Sequence, residues 1–435
     1  MRDLGVWLHT RSLWHMPRRV ARRLLVQNAR SVSFVYGAAH GGHAHLVDRL
    51  LPEARYRQWV FTVPKSLRLR LAREPAWASW VNRLIVQAIR RWQRGTARGL
   101  GVRNGQTGAV SFVQRFGGLL NLNVHYHLVV PDGVFVADPA TTGELALMRL
   151  PGPTDDELLA ILDRVADRIN ARLAEEHAHR DAADEEVDTP PDLYSQLQFE
   201  AATTWRSPPR PSSISRGTEP GRAWSAGFSL HAQVKIAGTD RAALERLCRY
   251  GARPAFAQAR LSWTDDGRVS YRLKRPWPDG RAELVLEPLA MLRRLCGIIP
   301  PPRRHLVRYF GIFGPGAADR NRLRRLIPPP ASVAATTCSD PSPAEPSQPS
   351  PSVWRARRVS WAELLKRVFA DDLLHCACGG RRTVLAFVTD AVAARSLLDR
   401  LGLAHRPPVF APRGPPALFD DPSPAFEPDP PAPDE

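Results

Sequence analysis

Two histidines stand one residue apart in the apolar run NVHYHLVV, residues 123–130. In a β-strand, side chains at i and i+2 share a face. His125 and His127 then point together, while Tyr126 and Leu128 point the other way. Neighbouring neutral imidazoles suit a divalent metal ion, and a catalytic site adds another protein ligand and an open position for substrate. A hairpin symmetric about residues 119–120 puts Gln114 opposite His125, on the same face. Its amide oxygen is a hard ligand for Mg2+ or Mn2+. A slip of one residue would turn Gln114 away. Alone, the pair does not separate a metal site from packed, hydrogen-bonded histidines.

A second constellation lies in LERLCRYGARPAFAQARL, residues 244–261. Leu244, Leu247 and Cys248 form the apolar stripe of a short helix, and Tyr250 ends it among Arg246, Arg249 and Arg253. A phenol with an ordinary pKa of about 10 is a poor nucleophile near neutral pH. Guanidinium charge lowers that value and attracts phosphate. A tyrosine so placed, with a metal polarising the phosphodiester, could attack DNA and keep the bond energy as a phosphotyrosine. A tyrosine ending an amphipathic helix is also an ordinary packing residue.

The elements that must position these groups are legible in outline. QWVFTV (58–63) reads as a strand, and residues 74–94 as a helix with Trp77, Trp80, Val81, Leu84, Ile85 and Ala88 on one face. Residues 105–135 read as a hairpin closed by an Asp132-Gly133 turn. A helix over 154–176 opens with Thr154 and Glu157 as a capping box. Residues 180–222 are polar and predict a mobile insert. A strand at 227–236 precedes a helix at 239–254, capped by Thr239 and stopped by Gly251. Residues 269–274 and 282–287 are strand-like. Pro-rich residues 328–353 read as a linker, 354–405 as a small module, and 406–435, with 11 prolines, as a disordered tail.

VSFVQRFGGLLNLNVHYHLVVPDGVF, SLHAQVKI, DRAALERLCRYGARP, YRLKRPWPDG and PPPRRHLVRYFG, in that order, resemble the rolling-circle insertion-sequence transposases of the IS-ninety-one type. These are HUH single-strand nucleases, named for their His-hydrophobic-His strand. The resemblance spans residues 46–327 and implies an α+β fold: an antiparallel sheet with flanking helices, plus the small C-terminal module. It implies His125, His127 and Gln114 as metal ligands and Tyr250 as nucleophile, one tyrosine where founding members carry two. His231 falls on a characteristic position of the family, as an alternative ligand, a DNA contact or a packed strand histidine. The implied reaction cuts and rejoins single-stranded DNA at an element's ends, with Mg2+ or Mn2+. Strand displacement would fall to host replication proteins, since no P-loop occurs here. Arginine and aromatic residues interleave in RLKRPW and PPRRHLVRYF, so Arg272, Lys274, Arg275, Arg303, Arg304 and Arg308 join Arg246, Arg249 and Arg253 as expected DNA contacts.

Two departures from the family stand out. Its members begin with a cysteine-rich zinc domain, whereas residues 1–45 are arginine-rich and the first cysteine is Cys248. A shifted reading frame before Ala44 would produce this, and would leave a copy without its means of choosing a site. In LLHCACGGRRT the family's C-x-x-C knuckle is shortened, so Cys376 and Cys378 make a poor zinc pair. Two rival readings follow: an inactive remnant that only binds nucleic acid, and a plasmid relaxase or replication initiator.

Composition agrees with a polyanionic partner. The formal charge is +18, and because the last 30 residues are net acidic, residues 1–405 carry +22. Of 61 basic residues only four are lysine; GC-rich codons would favour arginine but would not create the excess over acids. No apolar run is long enough for a membrane span. Five scattered cysteines predict a reducing cytosol, and the resemblance implies a bacterial one.

Overall fold

The structure, a computed structural model, describes residues 46–137, 144–183, 192–203, 216–255, 260–274, 276, 280–300, 304–328, 380, 382, 391–400 and 402. In chain order its elements are β1 (Tyr56–Thr62), α1 (Lys65–Arg73), α2 (Pro75–Gly99), β2 (Gly108–Phe116), β3 (Leu122–Pro131), β4 (Gly133–Ala137), β5 (Leu145–Arg149) and α3 (Asp155–Ala183). Then come α4 (Leu193–Thr203), β6 (Gly217–Glu219), β7 (Arg222–Ser225), β8 (Phe228–His231), β9 (Lys235–Ile236) and α5 (Arg241–Gly251). They are followed by β10 (Leu261–Trp263), β11 (Val269–Arg272), β12 (Glu283–Leu286), α6 (Pro288–Ile298), β13 (Val307–Gly311), α7 (Arg320–Arg325) and α8 (Ala391–Arg400). Helix α8 belongs to a second compact unit, separate from the one that holds residues 46–328. The atypical residues 1–45, the linker beyond Pro328, Cys376, Cys378 and the acidic tail lie outside the described residues.

The fold is α+β, as the sequence predicts. An eight-stranded sheet runs β13-β2-β3-β1-β8-β7-β6, with β9 also on β1, and its pairs are antiparallel. Smaller sheets are β10-β11-β12 and β4-β5. Central strands β1 and β3 are buried along their whole length, with polar side chains such as Arg57, Gln58, His125 and His127 buried among the apolar ones.

Parity divides the sheet residues between two cores. Trp59, Phe61, Val124, Tyr126, Leu128 and Val130 face helices α1, α2 and α3. Tyr56, Val110, Phe112 and Val129 face α5, α7 and the helical turn at residues 46–49. On α2, Trp77, Val81, Ile85, Val86 and Ile89 form the buried stripe. Each such aliphatic contributes about 1.5–3 kcal/mol when fully buried. Pro75 starts this helix at a position where its missing N–H costs nothing. The capping box on α3 forms as read: Thr154 Oγ1 accepts from Glu157 N at 3.2 Å, and Glu157 Oε2 accepts from Thr154 N at 2.8 Å.

Several expectations change in detail. Asp240, not Thr239, caps α5, accepting from Ala243 N. The strand expected over 227–236 breaks into β8 and β9, with Ala232–Val234 between them leaving the ladder. The insert 180–222 contains α4, β6 and the start of β7. Helix α4 packs against α6 so closely that Gly297 would place a Cβ 2.5 Å from the Leu197 carbonyl oxygen. Asp132-Gly133 is not a free turn. Arg57 donates to both carboxylate oxygens of Asp132 at 2.8 and 3.0 Å, and also to the Ala232 carbonyl at 2.7 Å, all buried.

Candidate active site

The hairpin register is the one that the histidine reading required. Gln114 pairs with His125 and Phe112 with His127 across β2 and β3, and a bulge follows between Gln114 and Phe116. The two imidazole centroids are 4.9 Å apart. On the other side of β3, Val60 of β1 pairs with His127, and the same Val60 pairs with His231 of β8. His231 thus shares the face but lies two strands from His127, about 10 Å across the sheet. The neighbour of His125 is Gln114.

Helix α5 crosses this face and brings Tyr250 to it. The Tyr250 ring centroid is 5.5 Å from that of His127, edge-on. Two features hold the helix end so close. Gln114 Nε2 donates to the backbone carbonyls of Tyr250 at 2.9 Å and Gly251 at 3.0 Å. Gly251 leaves room for the Phe112 ring, which a Cβ there would meet at 2.7 Å. At the other end of α5, Arg241 donates to the carbonyls of Pro52 at 3.0 Å and Leu51 at 2.8 Å, and to that of Val47. The helix is fastened at both termini.

Both imidazoles are neutral at pH 7. Burial pushes His125 down to about 4, with Arg253 and Arg68 adding to the fall, and outweighs the opposing hydrogen bond to Asn123. Burial, then His125 and Arg253, hold His127 well below its ordinary value. His125 Nδ1 lies 2.9 Å from the Asn123 carbonyl. A carbonyl only accepts, so Nδ1 carries the proton and Nε2 keeps its lone pair. His127 Nδ1 lies 2.9 Å from the Gln58 amide nitrogen. With that amide turned over, its oxygen would accept from Nδ1 and free the Nε2 lone pair. His127 Nε2 and Gln114 Oε1 are buried with no hydrogen-bond partner. Two neutral imidazoles and an amide oxygen fit a divalent cation chemically. Among the described residues no group of three or more His, Cys, Asp or Glu side chains is placed to hold a metal.

The expected DNA contacts divide. The Arg253 guanidinium lies 4.5 Å from the Tyr250 ring centroid and 5.4 Å from that of Phe116. Lys274 Nζ is 6.0 Å from the Tyr250 ring centroid, and Arg246, Arg272 and Arg304 are exposed. Arg249 departs from expectation: it is buried and ion-paired with Glu245 at 3.1 Å, so it serves the helix. Arg308 departs too. It pairs with Ser111 on β2, and Ser111 Oγ donates to Asn82 of α2, which places Arg308 on the face opposite Tyr250. Arg275 and Arg303 lie outside the described residues. Sequence reading missed Gln58 and Arg68. Strand parity could have found Gln58, two residues before Val60; nothing local marks the buried Arg68.

Comparison with known families adds an independent line. Residues 108–321, just under half of the chain, match the family model described as "Putative transposase". No curated protein and no solved structure matches the chain. Among the described residues no helix is long and apolar enough to cross a membrane. The matched stretch contains Gln114, His125, His127 and Tyr250, and it supports a transposase role for this protein.

Proposed function

We propose that the protein cuts and rejoins single-stranded DNA at the ends of a mobile element, with Tyr250 as nucleophile. The carrying observation is the 5.5 Å approach of the Tyr250 ring to His127, on the sheet face shared by His125 and Gln114. Tyr250 Oη forms a bond to phosphorus as the P–O3′ bond breaks. The phenolic proton leaves, and the departing 3′ oxygen gains one. The products are a 5′-phosphotyrosine and a free 3′-OH, and reversal of the step with another 3′-OH joins strands. His125, His127 and Gln114 would hold Mg2+ or Mn2+, which when bound supplies positive charge to the phosphate oxygens. Arg253 and Lys274, beside the Tyr250 ring, attract the phosphate. The anchored helix fixes where the phenol stands. Host replication proteins would supply strand displacement, and the setting would be the bacterial cytoplasm.

The test is to incubate the protein with Mg2+ or Mn2+ and labelled single-stranded oligonucleotides drawn from the ends of its element. A covalent protein–DNA adduct is expected, and its loss in Tyr250→Phe. Binding with no adduct in the wild type would replace this reading with that of an inactive remnant.

A further inference from the structure

Helix α2 carries five arginines and no acid in 25 residues. Arg83, Gln87, Arg91, Arg94 and Arg98 are all exposed and follow one another at steps of four, four, three and four, a single stripe along the outer face. From Arg83 to Arg98 the stripe runs about 22 Å. Arg90 flanks it, half-buried, with Nε donating to Thr107 Oγ1 at 2.7 Å. Among the described residues none of Arg83, Arg91, Arg94 and Arg98 is ion-paired. Arg90 and Arg94, and Arg94 and Arg98, are like charges one turn apart, which destabilises an isolated helix. Arg308 on the edge strand β13 reaches the same side, close enough for Arg83 to act on it.

An ordinary solvated helix in this protein looks different. The outer face of α3 carries Arg164 and Arg168 among Asp156, Asp163, Asp167 and Glu175. Among the described residues no acid side chain pairs with these charges on α2, which makes the stripe a site for an external anion. We infer that the outer face of α2, extended by Arg308, is a second nucleic-acid surface that grips the phosphate backbone of duplex DNA on the side of the sheet away from Tyr250. Phosphate chemistry follows from guanidinium without any carboxylate. Duplex follows from what the stripe lacks. Single-strand sites stack bases on aromatic rings, but Trp77 is buried, Trp80 packs on Trp77, and Trp92 packs on Trp59. A row of arginines with no aromatic gives a grip that is independent of sequence. This surface does not depend on Tyr250 chemistry.

The experiment compares two double variants of the full chain that remove equal charge at equal helical spacing: Arg94→Gln with Arg98→Gln on α2, and Arg164→Gln with Arg168→Gln on α3. Binding of a fluorescent 20-base-pair duplex is followed over a salt series, after thermal melting shows both variants folded. The α2 variant is expected to weaken low-salt binding roughly tenfold and to reduce the slope of log K against log salt by about 1.8, while the α3 variant changes little. Equal effects from the two variants, or no effect from the α2 pair, would overturn the inference. So would a loss confined to anionic phospholipid vesicles with duplex binding intact.

Discussion

The side chain of Gln114 hydrogen-bonds the backbone of Tyr250: its amide nitrogen lies 2.9 Å from the Tyr250 carbonyl oxygen. The residue that pairs with His125 in the sheet therefore also fixes the end of the helix that carries the phenol. Replacing it by alanine leaves two carbonyls without their donor. Gln114→Ala is expected to cost about 1–3 kcal/mol of stability, read by urea unfolding. Mn2+ affinity, measured by calorimetry, should fall in the same variant; unchanged affinity would remove Gln114 from the proposed ligand set.

Gly251 sets the distance between helix and sheet. A methyl group there meets the Phe112 ring at 2.7 Å. Gly251→Ala is expected to destabilise by about 1–3 kcal/mol and to slow adduct formation by displacing Tyr250. Adding Phe112→Leu should restore part of both losses. If the double variant is no better than the single one, the close approach does not govern the site.

The metal-free protein should lose stability as pH falls from 6.5 toward 4. His125 titrates at about 4 when folded and near 6.5 when unfolded. Between those values the unfolded chain binds more protons, so protonation favours unfolding. The contribution is fully present above pH 6.5 and lost on the way down through 4; His127 acts in the same direction. Melting temperature measured in EDTA across this window should drop more steeply for the wild type than for His125→Asn.

Breaking the buried Arg57–Asp132 pair should be the most damaging of these changes. Asp132→Asn leaves a guanidinium uncompensated between β1 and β3. A loss of about 3–5 kcal/mol is expected, read by chemical denaturation. A loss below about 1 kcal/mol would mean that water reaches the pair.

What could be read in the sequence was what is coded at short range. The two apolar runs and the glycine-containing connection within residues 108–131 marked the hairpin, and the Gln114–His125 register assumed from symmetry about residues 119–120 is the one the sheet adopts. The face shared by His125 and His127 followed from parity alone. The Thr154–Glu157 box and the apolar stripe of α2 were legible for the same reason. Long-range partners were not. Nothing near Asp132 announces Arg57. The Glu245–Arg249 pair is a local i,i+4 contact that helical spacing could have flagged; only the burial of Arg249 needed the tertiary fold. Strand β13 read as a basic segment, because an edge strand of five residues has too little alternation to separate Arg308 from its neighbours. Helix α6 carried a signal that went unused: Pro288 after Glu287, then an apolar run.

With α5 tied down through Arg241 at its start and Gln114 at its end, the phenol has a fixed address. Under the proposed chemistry any travel falls to the substrate, whose strand must be bent or threaded to the tyrosine. A rigid attacker of this kind would reward flexible DNA: hairpin tips, flaps and unpaired junctions would be cut sooner than a stiff, fully stacked strand.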